Sequence, residues 1–145
     1  MKVPCVDFIA RRLVKPLHAS LVLDRHLRVL SEHMCRLLPP DGCTNGLDVG
    51  CGSGRLARRM MELLPGVEIT GTDVVVRRDA VIPVIPYDGR RLPCADQSFD
   101  FTMIVDVLHH TDNPLEVLRE CRRVSRHFVL VKDHICESRW DGIRL

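Results

Sequence analysis

At 145 residues the chain is long enough for one domain with a sizeable apolar core. Its 46% hydrophobic and 28% charged residues exclude a disordered or low-complexity chain, and no apolar run reaches the roughly 18–20 residues of a membrane helix. A formal net charge of +2 gives no electrostatic case for nucleic acid.

Residues 1–40 read as an amphipathic helical cap. Asp7, Arg11, Arg12 and Lys15 interrupt any secretory h-region, so the cytoplasm is the expected compartment. Pro16 divides a short first helix from a longer one, in which Leu23, Leu27, Leu30, Met34 and Leu37 recur at three- and four-residue steps. Pro39-Pro40 ends it, and its histidines at 18, 26 and 33 read as surface residues.

Residues 41–145 form the second unit, which begins with a turn-rich connection into Gly46-Leu47-Asp48-Val49. Three glycines then occupy every second position, Gly50, Gly52 and Gly54, and a helical pattern starts at Arg55. A buried strand, a tight turn and a helix N-terminus therefore follow one another within a dozen residues. Asp48 at the strand end would repel a pyrophosphate and would hydrogen-bond a cationic amino group. The loop therefore suits a nucleotide-like ligand with an amino-acid end.

The next helix is predicted over Arg55 to Leu64, burying Leu56, Met60 and Leu63 and exposing Arg55, Arg58, Arg59 and Glu62, with Pro65-Gly66 as its stop. A second strand, Val67 to Thr72, leads to Asp73, nineteen residues after Gly54. An acid at that strand end is placed to accept both hydroxyls of a ribose; helix capping is the alternative. One or two helical turns fit before Val81-Ile82-Pro83-Val84-Ile85, where Pro83 and the following Pro86 predict a short or edge strand. Asp88, in the following Asp88-Gly89 turn, is placed to accept from an exocyclic base amine.

A loop over 92–100 feeds an uncharged fourth strand, Phe101 to Val105 or Val107, as expected of a covered parallel strand. Asp106, His109 and His110 follow it. Thr111-Asp112-Asn113-Pro114-Leu115-Glu116 is a helix start, with Leu115, Val117, Leu118 and Val124 as the buried face. A fifth strand, His127 to Val131, ends at Lys132-Asp133-His134. The β/α alternation predicts a parallel sheet with helices on both faces. The seven cysteines are odd in number and lack C-x-x-C or finger-like spacing, so they read as small reduced apolar residues and not as metal ligands.

LDVGCGSG at 47–54, GTD at 71–73, LPCADQSFDFTMIVDVLHH at 92–110 and the helix from Asn113 to Val124 together resemble the class I S-adenosylmethionine-dependent methyltransferases, in particular the type-11 methyltransferase-domain group. The resemblance spans roughly 41–134 with the motifs in the family's order. It implies a Rossmann-like parallel sheet of about five strands in the order 3-2-1-4-5. It also implies S-adenosylmethionine as co-substrate and methyl transfer to a small-molecule acceptor.

By the same resemblance, the cofactor set is Asp48, Gly50, Cys51, Gly52, Gly54, Asp73, Val74, Asp88, Gly89 and Asp106. Asp48, Gly50 and Gly52 would floor the methionine moiety, and Gly54 would present the helix N-terminus. Asp73 would hold the ribose, Val74 would pack on adenine, and Asp88 with Gly89 would meet the adenine edge. Asp106 would lie nearest the reacting methyl. Asp106, His109 and His110 are the candidates for a catalytic role, either histidine serving as a base where the acceptor must lose a proton.

Family members continue beyond the fifth strand with a helix and a β-hairpin, whereas this chain stops at Leu145. The fifth strand is therefore expected to be an open edge, or to be covered by the tail, a partner or a second copy. A shortened domain that binds the co-substrate without turnover, or only with a partner, is the alternative function. A dinucleotide-binding domain fits Gly52-Ser53-Gly54-Arg55-Leu56-Ala57 but is opposed by Asp48 and by the lack of a second nucleotide half. An RNA-binding reading of the arginines lacks aromatic platforms, since four Phe, one Tyr and one Trp are present.

Overall fold

The strand that precedes the glycine loop lies at the centre of the sheet. In the computed structural model, which describes residues 24–39 and 42–134, β1 (Asn45–Val49) pairs in parallel with β2 (Glu68–Asp73) on one side and with β4 (Phe99–Val105) on the other. β3 (Val84–Pro86) extends the sheet beyond β2, and β5 (Ser125–Lys132) extends it beyond β4. The order is β3-β2-β1-β4-β5, a five-stranded Rossmann-like parallel sheet as the motifs predict. β3 is short and lies at an edge, consistent with Pro83 just before it and Pro86 at its end.

Residues 24–37 are helical (α1), followed by α2 (Arg55–Leu63) and α3 (Pro114–Val124). The two faces of the sheet carry separate cores. Met34, Leu38, Ala57, Met60, Ile69, Phe101 and Met103 cluster on the α1/α2 face. Leu47, Val49, Ile104, Val117, Cys121 and Val124 cluster on the α3 face. Phe99 and Phe101 are two residues apart yet belong to opposite cores, and the β4–β5 register shifts between them, with Phe99 opposite Ser125 and Phe101 opposite Phe128.

Several side-chain expectations require correction. Leu37 and Leu115 are each 63% exposed, and Leu63 lies at the surface too. The buried positions are Leu38 after α1, Ala57 in α2 and Cys121 in α3. A small residue such as Ala57 carries little hydropathy, yet it lets the helix sit directly on the sheet. No helical turn forms over 74–83. Three β-branched valines oppose one, and Asp73 Oδ1 takes the Val75 amide at 3.0 Å into a side-chain turn.

Asp100, assigned to the loop by sequence, is instead a buried β4 residue. It accepts the Thr44 and Asn45 amides at 3.0 and 2.9 Å and pairs with Arg126 at 3.2 Å. The proposed helix before Pro16, Leu23, His18 and the tail after His134 lie outside the described residues.

Candidate cofactor and acceptor site

All five strands are parallel, so their carboxyl ends meet on one rim, and the order of the strands changes direction there between β1 and β4. A cavity of ≈ 830 Å³ opens on this rim. Of the residues predicted from sequence, Gly50, Gly52, Asp73, Val74, Asp88, Gly89, Asp106 and His110 line it. Asp48, Cys51, Gly54 and His109 are not among the lining residues.

The glycine loop is held against β2. The Gly50 and Cys51 amides donate to the Thr72 carbonyl at 2.7 and 3.2 Å, and the Gly52 amide donates to Asp73 Oδ2 at 2.7 Å. Gly50 has φ 74 and Gly54 has φ 75, both in the left-handed region. A Cβ on Gly50 would overlap Val107, and one on Gly54 would overlap Ile82. The loop can therefore follow this path only with glycine at these positions. Its exposed backbone forms one wall of the cavity.

Asp48 is 3% exposed and lies behind that backbone. Burial, reinforced by the nearby Asp73 carboxylate, raises its pKa to about 7. No described residue donates a hydrogen bond that would offset the burial. A buried carboxylate with no donor among the described residues is chemically complementary to a cationic amine. Cys51 turns toward the core, where its sulfur packs over Gly71, and burial raises its thiol to about 12. It is a packing residue of the loop.

Asp73 has both oxygens engaged by backbone, Oδ2 by Gly52 and Oδ1 by Val75, and each oxygen retains a lone pair for a hydroxyl. Val74 is 58% exposed at the cavity wall, an apolar face open to a flat ligand. Asp88 Oδ1 accepts the Arg91 and Arg90 amides, which lower its pKa.

Across the cavity, Asp106 directly follows β4 and receives Lys132 Nζ on both oxygens, at 2.6 and 2.8 Å. His109 and His110 form a single 3₁₀ turn with Leu108. His109 Nδ1 is 2.5 Å from Asp133 Oδ1, which directs it away from the cavity, whereas His110 lines it. Burial alone would raise Asp133, but the hydrogen bonds from His109, His134 N and Leu108 N outweigh it and hold the carboxyl at about 2.

Sequence reasoning missed Arg77, Tyr87, Asn113 and Glu116 in the wall, and missed Lys132 beside Asp106. A Cβ at Gly52 would lie 3.9 Å from the Arg77 guanidinium, so Arg77 arches over the loop. Lys132 could have been found: the expected strand order 1-4-5 sets the end of β5 next to the end of β4, and the register pairs Val105 with Lys132.

The dimensions and donor set suit an amino-acid-bearing nucleoside: a backbone cradle in which Gly50 leaves no room for a Cβ, a buried carboxyl group behind it, and acids at the ends of β2 and β3. Comparison with known proteins agrees. Residues 47–128 match a family model described as a methyltransferase domain. An uncharacterized protein of Methanocaldococcus jannaschii is 35% identical over 107 residues, which is 74% of this chain and 48% of that protein. The 27-O-demethylrifamycin SV methyltransferase of Amycolatopsis mediterranei is 29% identical, over 74% of this chain and 44% of the enzyme. The crystal structure of a SAM-dependent methyltransferase from Thermotoga maritima shares the fold, with a TM-score of 0.62 at 23% identity, covering 86% of this chain and 59% of that one. The chain spans about half the length of the relatives it matches.

Proposed function

The chain belongs to the methyltransferase domain family, whose class I members use S-adenosylmethionine as co-substrate, and we propose that it binds this molecule across the ends of β1, β2 and β3 and transfers its methyl group to a small-molecule acceptor. The observation that carries the proposal is the cradle of Gly50 and Gly52 with Asp48 buried behind it and Asp73 bonded across it.

In this reading the Gly50–Gly52 backbone and Asp48 receive the amino-acid end, and the Asp73 oxygens receive the ribose hydroxyls. Val74 and Tyr87 flank the base, with Asp88 and Gly89 at its edge. Asp106 and Val107 lie at the methyl end. When bound, the co-substrate supplies an activated methyl: an acceptor lone pair forms the new bond to carbon as the carbon–sulfur bond breaks and its pair remains on sulfur. The protein then has chiefly to align the acceptor and exclude water. His110, from the cavity wall, is the residue placed to take a proton from an acceptor that carries one. A small-molecule acceptor is supported by the cavity's size, which lies within the usual range for such sites, and by the rifamycin-directed relative. Among the described residues no helix is long and apolar enough to cross a membrane.

Titration calorimetry of the chain with S-adenosylhomocysteine tests this reading, and one site per chain is expected. A folded chain that takes up no ligand would refute it. A chain that binds but methylates nothing in a broad acceptor panel would be a binding domain, the alternative function.

A further inference from the structure

Asp106 is held by three separate links from the end of β5 and the residues just after it. Its backbone amide donates to the Lys132 carbonyl at 2.8 Å, its carboxylate receives Lys132 Nζ on both oxygens, and His134 Nε2 lies 3.1 Å from Oδ1. The backbone of Asp106 has φ 55, a left-handed conformation uncommon for a residue with a side chain. The carboxylate lines the cavity, while Lys132, 27% exposed, approaches it from behind. Asp133 ties the same tripeptide to the next turn by accepting from the Leu108 amide at 2.7 Å and from His109. A bare carboxylate would be simpler to build here, and a short polar side chain would also tolerate this backbone. The structure has instead supplied a cation from the neighbouring strand.

We propose that Lys132 is a positioning residue that cancels the charge of Asp106 at the methyl-transfer end of the cavity, so that the site does not hold the cationic co-substrate in preference to its neutral product. The inference rests on the reading above, which puts the sulfonium at that end. Methyl transfer discharges the sulfonium. An uncompensated carboxylate nearby would therefore stabilise the charged ground state more than the charge-dispersed transition state, deepening binding at the expense of rate. An ion pair of matched charge presents an acceptor oxygen to the ligand without that penalty.

The test compares dissociation constants for S-adenosylmethionine and S-adenosylhomocysteine, which differ in the sulfonium charge, by calorimetry on the full chain. In Lys132→Met, which removes the ammonium and leaves Asp106 only the His134 side chain beside it, the preference for S-adenosylmethionine should rise about tenfold over wild type. In Asp106→Asn, which leaves Lys132 bare, it should move by a similar factor in the opposite direction, and this arm stands should Lys132→Met fail to fold. Lys132→Arg and the double variant should both return the wild-type ratio. A clamp with only a structural role would weaken both ligands equally, and unmoved ratios in both single variants would overturn the proposal. Wild-type chain that binds neither ligand would overturn the co-substrate reading, and this inference with it.

Discussion

Asp73 Oδ2 accepts the Gly52 amide across 2.7 Å, so the acid that closes β2 also sets the shape of the glycine loop. In the proposed reading, ribose recognition and loop geometry therefore depend on one carboxylate. Asp73→Ala should reduce S-adenosylhomocysteine affinity by about 100-fold and lower stability by about 1–3 kcal/mol through the Gly52 and Val75 amides left without acceptors. Calorimetry and urea unfolding separate the two effects. Undiminished affinity would confine Asp73 to the loop.

Gly50 makes a sharper prediction, because its neighbour is known. Gly50→Ala introduces a Cβ into Val107 at a backbone angle that disfavours alanine. A loss of about 2–4 kcal/mol is expected, together with loss of ligand binding. Val107→Ala in the same chain removes the overlap and should recover part of the stability, leaving a strain of about 1 kcal/mol. Equal stability of the single and double variants would show that the overlap is not what excludes alanine.

The parts of this fold that sequence reveals are those governed by neighbours along the chain. The glycine spacing at 50, 52 and 54, the apolar strands and the Asn113-Pro114 helix start each act within a few residues, and Asn113 Oδ1 does cap the Glu116 amide at 3.3 Å. Hydropathy steps placed Leu37, Leu63 and Leu115 in the core, and packing exposes all three. A one-residue offset in helix phase moves a side chain by about 100°, and the sequence contains no mark of phase finer than that. The remaining misses are interactions across the sheet. Lys132 meets Asp106 and Arg123 meets Leu92, Cys94 and Asp96 from 26 to 31 residues away, and only strand order brings them together.

Arg123 shows what such a distant interaction supports. Its guanidinium donates to the Leu92 and Cys94 carbonyls, to Asp96 and, at 2.6 and 2.8 Å, to Glu120, whose other role is to accept the Leu92 amide. One side chain thus anchors the loop into β4 on the last turn of α3. Arg123→Ala strands the half-buried Glu120 carboxylate and two carbonyls, so a loss of about 2–4 kcal/mol is expected in urea unfolding. Arg123→Lys should recover less than half, because an ammonium cannot span the fork of acceptors. Full rescue by lysine would reduce the network to a simple charge contact.

Asp48 carries the pH dependence. Burial, with the Asp73 charge second, raises its carboxyl from 3.8 to about 7, so between these values the folded chain keeps a proton that the unfolded chain gives up. Unfolding then releases protons. The stability from this group is complete below pH 3.8, declines as pH rises through 7, and is flat above. Asp48→Asn removes the penalty and should stabilise the ligand-free chain at pH 8 by on the order of 3 kcal/mol, less the cost of a buried amide, with the gain vanishing near pH 4. Ligand affinity should run the other way. An ammonium attracts only the ionised carboxylate, so wild-type affinity for S-adenosylhomocysteine should climb between pH 6 and 8, while the asparagine variant binds weakly with no such rise. Parallel pH profiles for the two proteins would mean that the amino group of the ligand is held elsewhere, and that the buried acid serves the loop alone.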